Sequence, residues 1–257
     1  MPAETDLSKL EPLYDKKIHC PFCENTFTTK KIRSRFVKVS RIDSDFCQVF
    51  ERGQWNPFHY YVAVCPHCAF AFTDEFSAQV SPRVRQGVQE ELYKWQTAHP
   101  KSYCEQRSLF EATETYTWAL KLADLLKEKN IVFASLSLRL AWIFRDQADS
   151  ANEKRYLRQA AEFYENSFVA GDFAATNMVE MQVLYMIGEL RRRLGDYREA
   201  VNSFGKVVQH DDRSRYSKFA NMAREQWTQA VAEYKQKKKE AEEELDEYED
   251  VVRRGKK

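Results

Sequence analysis

The chain has 257 residues, of which 43% are hydrophobic and 31% charged, with 7 glycines, 7 prolines and 6 cysteines. This composition excludes a fibrous or disordered chain and predicts a folded, helix-rich protein that is long enough to bury a hydrophobic core. The formal net charge is +1, so any attraction to nucleic acid or to a membrane would have to come from a local patch.

The N-terminal sequence MPAETDLSKLEPLYDKK carries acids and no apolar run, so it lacks the features of a secretory signal or a transit peptide. No stretch approaches the roughly 18 uninterrupted apolar residues that a membrane-spanning helix needs. We therefore expect a cytoplasmic protein with no membrane partner. In a reducing cytosol, paired cysteines are more often metal ligands or redox centres than structural disulfides.

Residues 1–80 are predicted to form a small β-rich module. Three runs in this part are rich in β-branched and aromatic residues, and turn signals at residues 43–45 and 53–57 separate them. Such a pattern predicts short antiparallel strands joined by loops. The predicted strands cover residues 36–39, 46–50 and 59–64.

Two Cys-Pro-x-Cys pairs are the most chemically specific feature of this module: Cys20 with Cys23, and Cys65 with Cys68. Two-residue spacing lets both thiolates of a loop face one ion, and two loops supply the four tetrahedral ligands that zinc prefers. Four thiolates leave no open coordination position, which predicts a structural zinc ion. Residues 24–64, 41 in all, separate the pairs; this exceeds a compact zinc ribbon and predicts a β insertion.

Two other interpretations of the pairs stay open. Iron takes the same four sulfurs with nearly the same geometry, so the spacing does not separate iron from zinc. Cys-Pro-His-Cys is also the active-site sequence of some thioredoxin-fold oxidoreductases, which would make the protein a thiol redox enzyme. In those proteins a helix follows the pair, whereas residues 69–73 alternate as in a strand.

Neighbouring cysteines and histidines are weaker candidates. Cys47 could be a fifth thiol near the metal, although such a residue is more often a small buried apolar one, and the same applies to Cys104 at the predicted start of a helix. His19 and His67 are each next to a candidate ligand cysteine and could donate hydrogen bonds to the ligands or replace one of them. Glu24 and Ala69 directly follow the pairs, where such loops often have glycine.

A basic stretch overlaps the β module. Between residues 16 and 41, eight lysines and arginines stand against one acid, a local balance of +7. A positive strand face interleaved with aromatic residues would follow a phosphate backbone, so nucleic-acid binding is the alternative function. A solvated face balanced by acids elsewhere is the simpler interpretation. The candidate contacts are Lys30, Lys31, Arg33, Arg35, Lys38 and Arg41.

Helical spacing dominates from residue 81, and residues 81–234 are predicted to form helical repeats. Residues 184–204 are similar to the tetratricopeptide consensus, in which small Gly188 and Ala200 let two antiparallel helices approach and Phe204 fills the contact. Second-helix signatures begin at residues 112, 160 and 200. Their intervals of 48 and 40 residues exceed the usual 34 of this repeat, so divergent tetratricopeptide-like repeats are expected.

The predicted fold class is α+β, mainly α: a zinc-ribbon-like β module, a tetratricopeptide-like α-solenoid and, at residues 235–257, a charged helical tail. Stacked helix pairs expose an extended concave face that suits a segment of a partner. We therefore expect a non-enzymatic adaptor that binds a protein or peptide. An enzyme is not expected, because no acid–base constellation accompanies the thiols.

Four segments, CPFCENTFTTKK, RIDSDFC, NPFHYYVAVCPHC and LRLAWIFRD, resemble a widespread family of uncharacterised bacterial proteins, the domain of unknown function with the number 2225. The resemblance runs from about residue 15 to 235. It implies a cytoplasmic bacterial protein whose paired thiols are Cys20, Cys23, Cys65 and Cys68, and its motifs also include Cys47. It implies no catalytic acid, base or nucleophile.

Overall fold

The computed structural model describes residues 10–51, 55–77 and 79–254, and the side chains of those up to residue 244. Residues 1–9, residues 53–54 of the predicted turn and the last three residues of the predicted tail lie outside the described residues. The chain divides into two compact units, Met1–Phe163 and Tyr164–Lys257. The domain boundaries that the sequence predicts after residues 80 and 234 stay predictions.

Among the described residues, the first unit begins with three separate antiparallel strand pairs. They are β1 (Leu13–His19) with β2 (Thr26–Ile32), β3 (Val39–Ile42) with β4 (Gln48–Phe50), and β5 (Ala63–Val64) with β6 (Ala71–Phe72). Both cysteine pairs therefore lie in loops that join two paired strands.

The predicted strands differ from these in their bounds. Of the predicted strand at residues 36–39, only Val39 belongs to a strand, β3, because Ser34–Phe36 form a 3-10 turn. Phe46 has a φ of 66°, which no strand residue adopts, so β4 begins two residues later. The first part of the predicted strand 59–64 is wrong, since Asn56 caps a 3-10 helix, Pro57–Tyr60, by accepting a hydrogen bond from the Phe58 N–H at 2.9 Å.

Seven α-helices follow within the described part of the chain, which is mainly helical as predicted. They are α1 (Pro82–Ala98), α2 (Leu109–Leu126), α3 (Asn130–Asp146), α4 (Ser150–Ala170), α5 (Glu180–Leu194), α6 (Tyr197–Gln209) and α7 (Ser217–Arg254). Cys104, predicted at a helix start, instead lies in the preceding loop, because a capping box of Ser108 and Glu111 starts α2 at Leu109. None of the helices formed by described residues has the length and hydropathy to cross a membrane.

The second-helix signatures predicted from the sequence lie on α2, α4 and α6, and their small residues are buried. In the second unit, α5 and α6 approach closely at Gly188: a Cβ atom there would lie 2.7 Å from Cδ1 and Cε1 of Phe204. This contact matches the role predicted for both residues. The charged tail continues α7, with ion pairs between side chains four residues apart, Lys238 with Glu242 and Lys239 with Glu243.

Polar contacts attach the strand pairs to the helices of the first unit. The buried Trp118 indole of α2 donates to the carbonyl of Ala69 at 2.7 Å. The buried Arg107 guanidinium, just before α2, donates to the carbonyls of Tyr103 at 2.7 Å and Val62 at 2.8 Å. Strands of two or three residues have few ladder hydrogen bonds of their own, so these side chains supply part of their anchorage.

Candidate metal centre

The two cysteine loops have the same backbone hydrogen bonds. In the first loop, the N–H of Cys20 donates to the Asn25 carbonyl at 2.9 Å, and the N–H of Glu24 donates to the Cys20 carbonyl at 3.0 Å. The second loop repeats this pattern, with the N–H of Cys65 donating to Phe70 and the N–H of Ala69 donating to Cys65. Each pair of thiols is therefore held at a hairpin tip by an equivalent turn.

A left-handed residue closes each turn. Glu24 has a φ of 61° and Ala69 a φ of 60°. This left-handed region favours glycine, because glycine has no Cβ atom. These are the two positions where the sequence has a side chain and such loops often have glycine. The turn geometry is therefore kept at a cost in backbone strain.

The four sulfur atoms converge. Those of Cys20, Cys23, Cys65 and Cys68 all lie within 4.8 Å of one another. Two cross-loop distances are shorter, 3.7 Å from Cys20 to Cys68 and 3.6 Å from Cys23 to Cys65. Four thiolates bound tetrahedrally at about 2.3 Å would lie about 3.8 Å apart. The cluster could therefore hold a metal ion, and none of the four forms a disulfide.

The electrostatic environment of the cluster favours the thiolate form of one cysteine and disfavours the thiolate form of another. Hydrogen bonds from the Cys20 and Cys68 thiols lower the pKa of Cys65 to about 4, and backbone N–H groups of His67 and Cys68 add to the effect. Hydrogen bonds with the Cys20 and Cys65 sulfurs, together with partial burial, raise the pKa of Cys68. A cation among the four sulfurs would remove this conflict, since it attracts every thiolate.

Contacts outside the cluster fix the first loop. Asn25 Nδ2 donates to the Cys23 sulfur at 3.4 Å. Arg85 of α1 donates to the Phe22 carbonyl at 2.7 Å, and its guanidinium lies 4.6 Å from the centre of the Phe22 ring. The arginine thus brings a positive charge to the loop that carries Cys20 and Cys23.

The other sequence candidates are placed elsewhere. His19 and His67 are exposed and do not belong to the cysteine cluster. Cys47, the candidate fifth thiol, is not part of the cluster either. It is buried in the loop between β3 and β4, where its sulfur donates to the Gln48 carbonyl. Cys104 is buried as expected and its thiol donates to Val64.

The basic candidates are divided among different environments. Lys30 pairs with Asp15 at 2.9 Å and Arg41 with Asp43 at 2.9 Å. Lys31 is turned inward, where its ammonium group donates to the Tyr60 carbonyl. Arg33 donates to a backbone carbonyl at 3.2 Å, while Arg35 and Lys38 are exposed. Nucleic-acid binding through this stretch stays a prediction.

Sequence reasoning missed the ion network around Arg145 of α3. The guanidinium pairs with Asp45 at 2.6 Å, Asp43 at 3.1 Å and Glu153 at 2.6 Å. The fully buried Asp45 also accepts a hydrogen bond from the Trp142 indole at 3.0 Å. Asp43 and Asp45 are about a hundred residues from Arg145, so no local spacing indicated these two pairs; the one signal was that RIDSDFC and LRLAWIFRD both carry the family resemblance.

Comparison with known proteins agrees with that resemblance. A model of a protein family, described as an uncharacterized protein conserved in bacteria (DUF2225), matches residues 13–230. Neither the search of curated proteins nor the search of solved structures gave a match. The matched region includes all four clustered cysteines and the Arg145 network. Since the match covers most of the sequence, the chain belongs to the DUF2225 family.

Proposed function

We propose that this protein is a non-enzymatic cytoplasmic adaptor, in which a structural zinc ion holds the cysteine hairpins and tetratricopeptide-like helix pairs bind a protein or peptide. The observation that carries the metal part is the convergence of four sulfurs at distances that suit tetrahedral coordination. All four positions of such a site are occupied by the chain's own thiolates. A structural ion fits this arrangement better than a catalytic one, because no position remains for substrate or water.

The partner-binding part is supported by a cleft in the first unit. The cleft has a volume of about 540 Å³, and its lining comes from α2, the loop after it, α3 and the middle of α4. Phe133 and Phe163 stack there with ring centres 4.6 Å apart, and neither is fully buried. Charged side chains, including Lys121 and Glu128, complete the lining. Apolar rings with a charged rim suit a short segment of a partner protein.

Metal analysis of freshly purified protein tests the zinc site. We expect about one zinc ion per chain, and we expect Cys65→Ser to lose the metal and most of the stability of the first unit, because structural zinc contributes on the order of 10 kcal/mol. Iron would be revealed in the same measurement and by visible absorption. Cys104→Ser is the matched control, since this thiol is also buried but outside the cluster, and it should keep the metal.

A metal-free wild-type protein would contradict the proposal. So would a Cys65→Ser variant that folds as well as Cys104→Ser.

Photo-crosslinking in living bacterial cells tests the cleft. A benzophenone amino acid at Gln159, which lines the cleft on α4, should give a discrete crosslinked protein. The same amino acid at Lys154, exposed on the same helix but not part of the cleft lining, should not. Phe163→Ala should reduce the yield from position 159 by about tenfold, the effect of losing roughly 1.4 kcal/mol of contact energy.

Equal crosslinking from both positions, or none from either, would count against the cleft as the partner surface.

A further inference from the structure

A second cavity in the first unit shares no residue with the cysteine cluster. It has a volume of about 160 Å³ and is lined by the β3–β4 hairpin, the 3-10 helix at Pro57–Tyr60 and the end of α3. Three of the four segments that carry the family resemblance contribute to it: RIDSDFC, NPFHYY and LRLAWIFRD. Chain segments about a hundred residues apart thus meet around one small space.

One wall of the cavity is aromatic. The rings of Phe50 and Phe58 meet edge to face with centres 5.6 Å apart, and Phe58 lies 5.1 Å from Trp142. All three rings line the cavity. The face of an aromatic ring carries partial negative charge, so grouped rings attract a weakly hydrated cation, which loses little when it leaves water.

The charges around the cavity also favour a cation. Among the residues that the structure describes, four carboxylates belong to the lining or pair with it, those of Asp43, Asp45, Asp146 and Glu153, against the two guanidinium groups of Arg41 and Arg145. This is a balance of −2 when all are ionised. The two arginines that line the space are already paired with Asp43, Asp45 and Glu153, so a phosphate or carboxylate ligand would have to compete with these carboxylates.

Asp146 is the carboxylate placed for direct contact with a ligand. It lies at the end of α3, is exposed, and forms no ion pair with any described residue. Asn56 orients it: the amide oxygen of Asn56 is engaged by the Phe58 N–H, which leaves its Nδ2 to donate to Asp146 Oδ2 at 3.5 Å. The Asp146 carboxylate and the aromatic wall therefore lie at the same opening of the cavity.

We propose that this cavity binds a small organic ammonium ion, held by the rings of Phe50, Phe58 and Trp142 and by the carboxylate of Asp146. The volume limits the ligand, since sites for drug-sized molecules measure about 300–1,000 Å³. A quaternary ammonium headgroup fits the space, whereas a nucleotide does not. This inference is independent of the proposed adaptor function.

Nuclear magnetic resonance of the ¹⁵N-labelled full chain tests the proposal, with choline as the probe. The Trp142 indole N–H donates to Asp45 beside the cavity, so its signal should shift saturably as choline is added. The neutral isostere 3,3-dimethylbutanol, which has the same shape and no charge, should cause no saturable shift. Sodium chloride at matched ionic strength is the blank titration.

Two variants locate the binding. Asp146→Asn should weaken choline binding about tenfold, and Phe50→Leu should weaken it by a similar factor, as expected for losing roughly 1.4 kcal/mol each. Asp211→Asn, an exposed carboxylate in the second unit, is the control and should leave the affinity unchanged. The Trp142 signal itself shows that each variant keeps its local fold.

Three results would overturn the proposal. The first is no saturable shift with choline while the Trp142 signal keeps its native position. The second is equal binding of choline and its neutral isostere, which would make the cavity simply apolar. The third is an unchanged choline affinity in both Asp146→Asn and Phe50→Leu.

Discussion

The cysteine loops contain single residues with strained backbone conformations, and substitutions at these residues can raise the stability of the protein. Glu24 is exposed and left-handed, with its N–H bonded to the Cys20 carbonyl. Replacing it with glycine removes the clash of its Cβ atom, which costs about 1–2 kcal/mol in this conformation, partly offset by the greater freedom of glycine in the unfolded chain.

We therefore predict that Glu24→Gly raises the free energy of unfolding by about 1 kcal/mol, measured by urea denaturation of the metal-loaded protein. Glu24→Ala keeps the Cβ atom and serves as the control, with stability close to wild type. If the glycine variant were no more stable than the alanine variant, the turn would not be strained.

Lys31, again a single residue, makes the free energy of unfolding depend on pH. Burial, together with the charges of Arg107 and Lys16, lowers its pKa from 10.5 to about 8. Below pH 8 the lysine is protonated whether the chain is folded or unfolded. Between pH 8 and 10.5 the unfolded chain binds more protons at this site, so the contribution of Lys31 to stability rises with pH.

The prediction is that wild type gains stability relative to Lys31→Met when urea denaturation is compared at pH 7.5 and pH 9.5. The difference between the two proteins isolates Lys31 from the other groups that titrate in this range. Identical changes with pH in both proteins would show that the lysine is not held in the interior.

At the scale of elements, the α5–α6 pair depends on the absence of one side chain. A Cβ atom on Gly188 would lie 2.7 Å from the buried Phe204 ring, and that ring has no room to retreat. Gly205 of α6 differs, because a Cβ atom there would make ordinary contact with Trp227 at 3.8 Å. The two glycines form a matched pair.

Gly188→Ala should destabilise the protein by about 1–3 kcal/mol through overpacking, whereas Gly205→Ala should stabilise it by about 0.5–1 kcal/mol through helix propensity. Urea denaturation followed by far-ultraviolet circular dichroism measures both. Phe204→Leu in the Gly188→Ala background should recover part of the loss. Equal effects of the two alanine substitutions would show that α5 and α6 are not in close contact.

Over the whole molecule, features with a local signal were predicted well. The two-residue cysteine spacing and the helical periodicity can both be recognised within a few consecutive residues. The thiol cluster and the α5–α6 contact could therefore be predicted. The strand bounds were less accurate, because β5 and β6 have only two residues each and carry too short a pattern to recognise.

Contacts between distant parts of the chain could not be predicted. Arg107 donates to carbonyls in the β5 region, and Arg145 pairs with Asp45 a hundred residues earlier. An arginine in a helical pattern ordinarily indicates a solvated face, and nothing in its neighbours' identity indicates a buried partner. The cavity beside Arg145 was missed for the same reason, since its lining comes from three separate segments.

The hydrogen bond from Trp118 to Ala69 gives the protein a built-in optical reporter. The Trp118 ring is stacked on that of Trp95, with centres 4.3 Å apart and planes inclined by 8°. Indoles in such an arrangement couple their excited states and produce an exciton band in circular dichroism. Because the Trp118 indole is hydrogen-bonded to the carbonyl of Ala69, the residue directly after Cys68, we expect the intensity of that band to change when the cysteine loop opens, without any attached dye.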